Sequence, residues 1–231
     1  MEVSNKTART AGALYLIVVA TMMFSLAYVP SQINVPGNAP ATFNNIVAHE
    51  SLFRLGIVSG LVGYIAFLLL PLVLYKLLQG VNRNAALLMV AFAVVSVPVS
   101  FVNMLHKFDV LTLLSGAEYL RAFTTEQLQA QAMLSLDAYG NGILVSKIFW
   151  GLWLLPFGYL VFKSGFLPKI LGILLMLGCF GYLGDFLGRS LFPGYAETAI
   201  ARFITLPASL GEIGTCLWLL IVGIRMPRKA G

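Results

Sequence analysis

Charge is what this sequence has least of. Asp, Glu, Lys and Arg make up 10% of 231 residues, against roughly 25% in soluble domains. A water-soluble globular domain is thereby excluded. Histidine is scarcer still: only His49 and His106 occur, and they belong to different predicted helices. A zinc centre needs three or four His, Cys or carboxylate ligands, so no metal site is expected. Both histidines fall near the edge of the predicted bilayer core, which gives a two-histidine haem site no support. Two cysteines, Cys179 and Cys216, lie inside apolar runs without metal or redox spacing, and we read them as reduced fillers. A nucleotide-binding loop, a serine nucleophile elbow, a paired-carboxylate protease motif and a Ser/Gly linker are all absent. No cofactor is expected, and no second domain.

What is there is apolar. Hydrophobic residues reach 59%, with 16 Phe, 9 Tyr and 3 Trp, and mean hydropathy is +0.88. Stretches long enough to cross about 30 Å of hydrocarbon need about 20 residues each. The sequence supplies six, at 10–29, 52–78, 84–105, 142–162, 167–187 and 205–224. The expected fold is all-α: a six-helix transmembrane bundle forming one polytopic domain over 1–231. Lys6 and Arg9 before an apolar run, with Ser25-Leu26-Ala27 downstream, resemble a signal peptide. The run continues to Val29, so we read it as a span that Pro30 ends. The joins 79–83 and 163–168 carry Gly or Pro with basic residues and read as tight surface turns.

The net charge of +6 could suggest nucleic acid, but its distribution suggests a membrane. Nine basic residues, Lys6, Arg9, Lys76, Arg83, Lys163, Lys169, Arg225, Arg228 and Lys229, fall on one side of the predicted spans. Six fall on the other: Arg54, Lys107, Arg121, Lys147, Arg189 and Arg202. The excess of Lys and Arg on cytoplasmic loops puts both termini in the cytoplasm. Of the acids, only Glu2 lies on that side. The expected partners are membrane lipids, not nucleic acid; oligomeric state is not legible.

Against this background a few polar residues stand out. Glu212 lies inside an otherwise uncharged run, where a carboxylate costs about 2.5–3.5 kcal/mol on insertion scales unless paired or hydrated. At about 1.5 Å per residue, Glu212 lies roughly 20 Å from Arg225, and Lys147 and Asp185 roughly 24 Å from Lys163 and Lys169. All three should sit at similar depth below the outer boundary. Arg189 follows Asp185 by four residues and can pair with it. Ser96, Ser100, Asn103 and Lys107, spaced four, three and four, form one helical stripe. Glu50 and Arg54 are again four apart. Ser209, Glu212, Thr215 and Cys216 are expected on one side of the sixth helix. Together these predict an outward-facing polar pocket lined by Glu212, Lys147, Asp185, Arg189, Asn103, Arg54 and Glu50.

Each also has a structural reading. Lys147 can snorkel or pair with Glu212, Asp185–Arg189 can be an ion pair alone, Arg54 can be an interfacial anchor, and the serines can bond back to their own helix. Pro71, Pro98, Pro156 and Pro207 lie in or beside spans, where membrane helices tolerate them. Gly56–Gly60 and Gly184–Gly188 are small-xxx-small pairs suited to close helix packing.

The connection 107–139 is the longest. Thr124 and Gln127 are placed as a capping box, and Leu128, Ala132, Met133 and Leu136 make an apolar face, so a short amphipathic helix on the outer surface is expected. The first outer connection, 30–48, is rich in Asn, Pro and Gly and reads as irregular. At a shift of 87, Lys76, Leu87, Leu88 and Met89 fall on Lys163, Leu174, Leu175 and Met176, which suggests repeated helical hairpins.

Several motifs carry a resemblance across nearly the whole chain. They are Thr7-Ala8-Arg9 before Gly12, His49-Glu50-Ser51-Leu52-Phe53-Arg54-Leu55-Gly56, and Leu114-Ser115-Gly116-Ala117-Glu118-Tyr119-Leu120. Gly165-Phe166-Leu167-Pro168, Phe192-Pro193-Gly194-Tyr195 and Gly211-Glu212 before Leu217-Trp218-Leu219-Leu220 complete the set. In these the chain resembles the multi-pass membrane family known as domain of unknown function 4386. The resemblance implies a bacterial cytoplasmic membrane and about six helices; it implies no activity. Ser59-Gly60 stand where such sequences often carry an acidic residue. The functional expectation is binding or transport of a small or lipid-like ligand. The alternatives are an intramembrane enzyme using Glu212 with Lys147 or Asp185 as acid and base, and an accessory structural subunit.

Overall fold

A computed structural model describes residues 4–224. The basic residues Arg225, Arg228 and Lys229, and Glu2, used above for orientation and depth, lie outside the described residues.

Among the described residues the regular structure is helical throughout. Helix α1 spans Asn5–Met23 and runs through a π-helical turn, Phe24–Tyr28, into α2, Val29–Ile33. The expectation that Pro30 ends the first span is corrected: the helix continues to Ile33. A proline ring clashes with the carbonyl four residues back, and the wider π turn just before Pro30 relieves that crowding. Helix α3, Ala39–Ala48, replaces the expected irregular loop. Asn38 caps it by accepting the Ala41 N–H at 3.0 Å, and Pro40 sits in its first turn, where a missing N–H costs nothing. The Asn and Pro that read as loop formers are helix starters here.

Helices α4, Glu50–Leu78, and α5, Arg83–Leu114, form a tight hairpin. Helix α6, Thr125–Lys163, and α7, Lys169–Leu191, form another. The short helix α8, Ala199–Phe203, precedes α9, Leu206–Leu217, and a final π-helical turn, Trp218–Val222. The capping box is present: Thr124 N donates to Gln127 Oε1 at 2.8 Å, and Gln127 N to Thr124 Oγ1 at 3.3 Å. The amphipathic stretch it starts is helical as expected, but runs unbroken into the fourth span. The connection shrinks to residues 115–124, with a 3-10 turn at Glu118–Ala122.

Among the described residues six helices are long and apolar enough to cross a membrane: Asn5–Ile33, Glu50–Leu78, Arg83–Leu114, Thr125–Lys163, Lys169–Leu191 and Ala199–Val222. Helix α4 shows the pattern clearly. Phe53, Ile57, Gly60, Tyr64, Phe67, Pro71, Leu74 and Leu78 are buried, at alternating spacings of four and three. Leu55, Val58, Val62, Ile65, Leu69 and Leu72 form a fully apolar exposed stripe. In water such a stripe would be an aggregation surface; facing lipid it is expected.

The chain falls into two compact units. The first contains residues up to 17, 66–97 and 144 onward; the second contains Val18–Ile65 and Pro98–Ile143.

In the first unit, α7 and α9 meet through small residues. A Cβ on Gly178 would lie 2.7 Å from Ala208, and one on Gly211 would lie 2.9 Å from the Leu175 nitrogen. Backbones this close are the usual product of small-residue faces in membranes. Helix α1 uses Ala8, Ala11 and Gly12 in the same way, with Gly12 against the Leu219–Leu220 backbone. Gly223, at φ 74°, ends the last helix in the left-handed region that glycine tolerates.

In the second unit, the Gly56–Gly60 pair packs as expected. Gly56 faces Val29, and Gly60 faces Met104 and Ser25. Ser25 Oγ donates to the Gly56 carbonyl at 2.7 Å, and Ser59 Oγ to the Thr21 carbonyl at 3.1 Å. The Ser59-Gly60 dipeptide is thus occupied with helix packing.

Candidate functional site

The first unit gathers its polar side chains from four helices. Glu212, on α9, is half-buried and accepts a hydrogen bond from Tyr15 Oη of α1 at 3.0 Å. The Tyr182 hydroxyl of α7 lies beside the same carboxyl. Both arrive where the apolar periodicity of each helix turns its face inward. Tyr15 is fully buried and its ring lies 6.3 Å from Trp153 and 6.4 Å from Phe157. Trp153 stacks on Phe157 at 5.0 Å and meets the edge of Phe67 at 5.1 Å. The carboxyl is therefore backed by an aromatic wall, with donors but no cation. Among the described residues no Lys or Arg nitrogen lies within ion-pair distance of it.

Two cations are instead committed to Asp185, on α7. Lys147 Nζ of α6 lies 2.5 Å from Asp185 Oδ2, and Arg189 Nε lies 2.9 Å from Asp185 Oδ1. The Asp185 side chain is 1% exposed, Lys147 22% and Arg189 34%. A buried carboxylate thus has a cation on each oxygen, and the trio carries one net positive charge at its half-exposed rim. Tyr182 and Asp185 lie three apart on one face of α7.

Sequence reasoning placed Lys147, Asp185 and Arg189 together, and the structure brings them into direct contact. The alternative pairing of Glu212 with Lys147 is not what forms; Asp185 takes Lys147, because α6 and α7 present them to each other. The sixth helix also differs from expectation. Thr215 and Cys216 are buried, with Thr215 Oγ1 bonded back to the Gly211 carbonyl at 2.6 Å, but Ser209 is exposed. It sits three residues before Glu212 at the first turn of α9, on the flank away from the packed face.

Asn103, Glu50 and Arg54 belong to the second unit. Glu50 and Arg54 form an i,i+4 ion pair at 2.7 Å, 44% and 57% exposed, as an interfacial pair does. The stripe on α5 is buried along its length: Ser96, Ser100, Asn103 and Lys107 are each at most 5% exposed. Ser96 Oγ bonds back to the Ala93 carbonyl at 2.7 Å. Asn103 Nδ2 donates to the Tyr139 carbonyl at 3.0 Å, in a space that a Cβ on Gly142 would close. Lys107 Nζ stands 4.3 Å over the Tyr139 ring.

Tyr15, Tyr182, Tyr64 and Tyr139 were missed from sequence. Tyrosines in membrane proteins favour the interface, and nothing in their local sequence marks these four as buried. The available signal was depth. Tyr15 lies inside the span Asn5–Ile33, away from both of its ends, and a buried phenol needs an acceptor.

Among the described residues no group of three or more His, Cys, Asp or Glu is placed to hold a metal ion.

Long apolar helices with an inward-turned set of ionisable side chains define a multi-pass helical membrane protein. The chain belongs to the family described as Domain of unknown function (DUF4386), whose model matches residues 10–223. It is also similar to an uncharacterized protein of Archaeoglobus fulgidus, at 31% identity over 154 residues, 66% of this chain and 74% of that protein. No solved structure matches the chain.

Proposed function

We propose that this protein binds, and in the transport form of the reading moves, a small or lipid-like ligand with an ionic head group. The site is the cluster of Glu212, Lys147, Asp185 and Arg189, opening outward from a cytoplasmic membrane in which both termini are cytoplasmic. The observation that carries the reading is Glu212: a carboxyl within the span, bonded to the Tyr15 phenol and matched to no cation. An intramembrane carboxylate is costly, and one serving only to pin helices together would be expected to face Lys147 or Arg189. Both are taken by Asp185, so Glu212 is left for something else. Arg189 engages Asp185 through Nε, and its side chain is 34% exposed. Carboxyl and guanidinium together suit a ligand with charges of both signs.

The test is native mass spectrometry of the full chain released from detergent, with Glu212→Gln beside the wild type. Glutamine keeps the shape and the acceptor for Tyr15 and Tyr182. The expected result is an adduct on the wild type that is lost in the variant, with thermal stability little changed. Equal adducts on both proteins, or none on either, reject the reading.

A further inference from the structure

The second unit holds a cation that the cluster above does not use. Lys107 is 4% exposed, and among the described residues no carboxylate lies within 4 Å of its Nζ. The nearest acid along its own helix, Asp109, is turned to His106 at 3.4 Å and is 59% exposed. What Lys107 does have is the face of Tyr139, at 4.3 Å. A ring face attracts an ammonium, but it offsets only part of the cost of removing that charge from water. Around the same ring are further donors. The hydroxyls of Tyr139 and Tyr64 are sealed from solvent and meet no acceptor in regular hydrogen-bond geometry. They lie beside each other and beside Ser100. Asn103 gives one of its two amide N–H groups to the Tyr139 carbonyl and keeps the other.

The cluster therefore sets hydroxyl and amide donors around one buried ammonium that has no carboxylate beside it. We infer that Lys107, Tyr139, Tyr64 and Asn103 form a second ligand site that takes an oxyanion, a phosphate or carboxylate group. Lys107 supplies the charge, the phenols and the Asn103 amide supply directed donors, and Gly142 leaves the room in which Asn103 sits. The oxyanion can be free in solution or the head group of a lipid. This goes beyond the Glu212 reading and does not depend on it.

The experiment uses the full chain purified in detergent and in nanodiscs. Thermal unfolding is followed with inorganic phosphate against sodium chloride at matched ionic strength. It is followed in parallel in nanodiscs of phosphatidylglycerol against phosphatidylcholine. Stabilisation by phosphate assigns a free oxyanion, and stabilisation by phosphatidylglycerol alone assigns a lipid head group. In either case Lys107→Met should weaken the response at least about tenfold, the size of one lost charge-assisted hydrogen bond, and Lys107→Arg should retain it. Tyr139→Phe keeps the ring and removes one donor; it serves where Lys107→Met does not fold, and should weaken the response several-fold. A wild type indifferent to both probes, or variants that respond as the wild type does, overturns the site.

Discussion

The Tyr15 hydroxyl donates to the Glu212 carboxylate at 3.0 Å across 197 residues of sequence, tying the first span to the last. Tyr182 of α7 lies beside the same carboxyl. Tyr15→Phe removes one donor and keeps the ring against Trp153 and Phe157. A hydrogen bond to a charged group contributes about 1.5–3 kcal/mol, so thermal stability in detergent should fall by that order. Combined with Glu212→Ala, which removes the acceptor, the loss should be clearly less than the sum of the two single changes, since the residues share one contact. Simple additivity would show that the bond carries no energy.

Asp185 is the residue whose loss should cost most. Asp185→Asn leaves Lys147 and Arg189 facing each other without the charge that joins them. Removing one partner of a buried pair typically costs about 3–5 kcal/mol. Lys147→Met leaves Asp185 still paired with Arg189, and should cost distinctly less. Denaturation of the two variants side by side checks the order; equal losses would mean that Lys147, not Asp185, is the centre of the trio.

Gly142 is predicted to be intolerant for a reason its sequence does not show. A Cβ there would overlap the Asn103 carboxamide. Gly142→Ala should therefore destabilise by about 1–3 kcal/mol, the usual range for overpacking. Asn103→Ala in the same chain should recover much of that by vacating the space. No recovery in a thermal-shift comparison would place the strain elsewhere.

Orientation can be read chemically. A cysteine introduced after Arg228 should react with a membrane-impermeant maleimide in inverted vesicles and not in intact cells. Background is low because the native Cys179 and Cys216 are buried. Labelling of intact cells would reverse the topology and with it the outward opening of the site.

Most of the fold was legible because lipid imposes a simple demand. A segment crossing hydrocarbon must be apolar for about 20 residues and satisfy its own backbone, so hydropathy alone located six helices. Boundaries were less legible, because helices continue past the apolar core wherever caps and packing support them. That is why α5 and α6 shorten the long connection, and why Pro30 and residues 39–48 are helical.

The sequence by itself also determined which charges had to be explained, since Glu212, Lys147, Asp185 and Lys107 have no place facing lipid. It determined the i,i+4 pairs Glu50–Arg54 and Asp185–Arg189, because helical geometry fixes neighbours three and four apart. Only the tertiary structure decided the partners across helices: Lys147 with Asp185, Glu212 with Tyr15 and Tyr182, Lys107 with the Tyr139 ring. Those depend on the rotation and approach of each helix. Rotation and approach are set by where small residues such as Gly12, Gly178 and Gly211 let backbones meet, a property of pairs of surfaces that no single stretch of sequence contains.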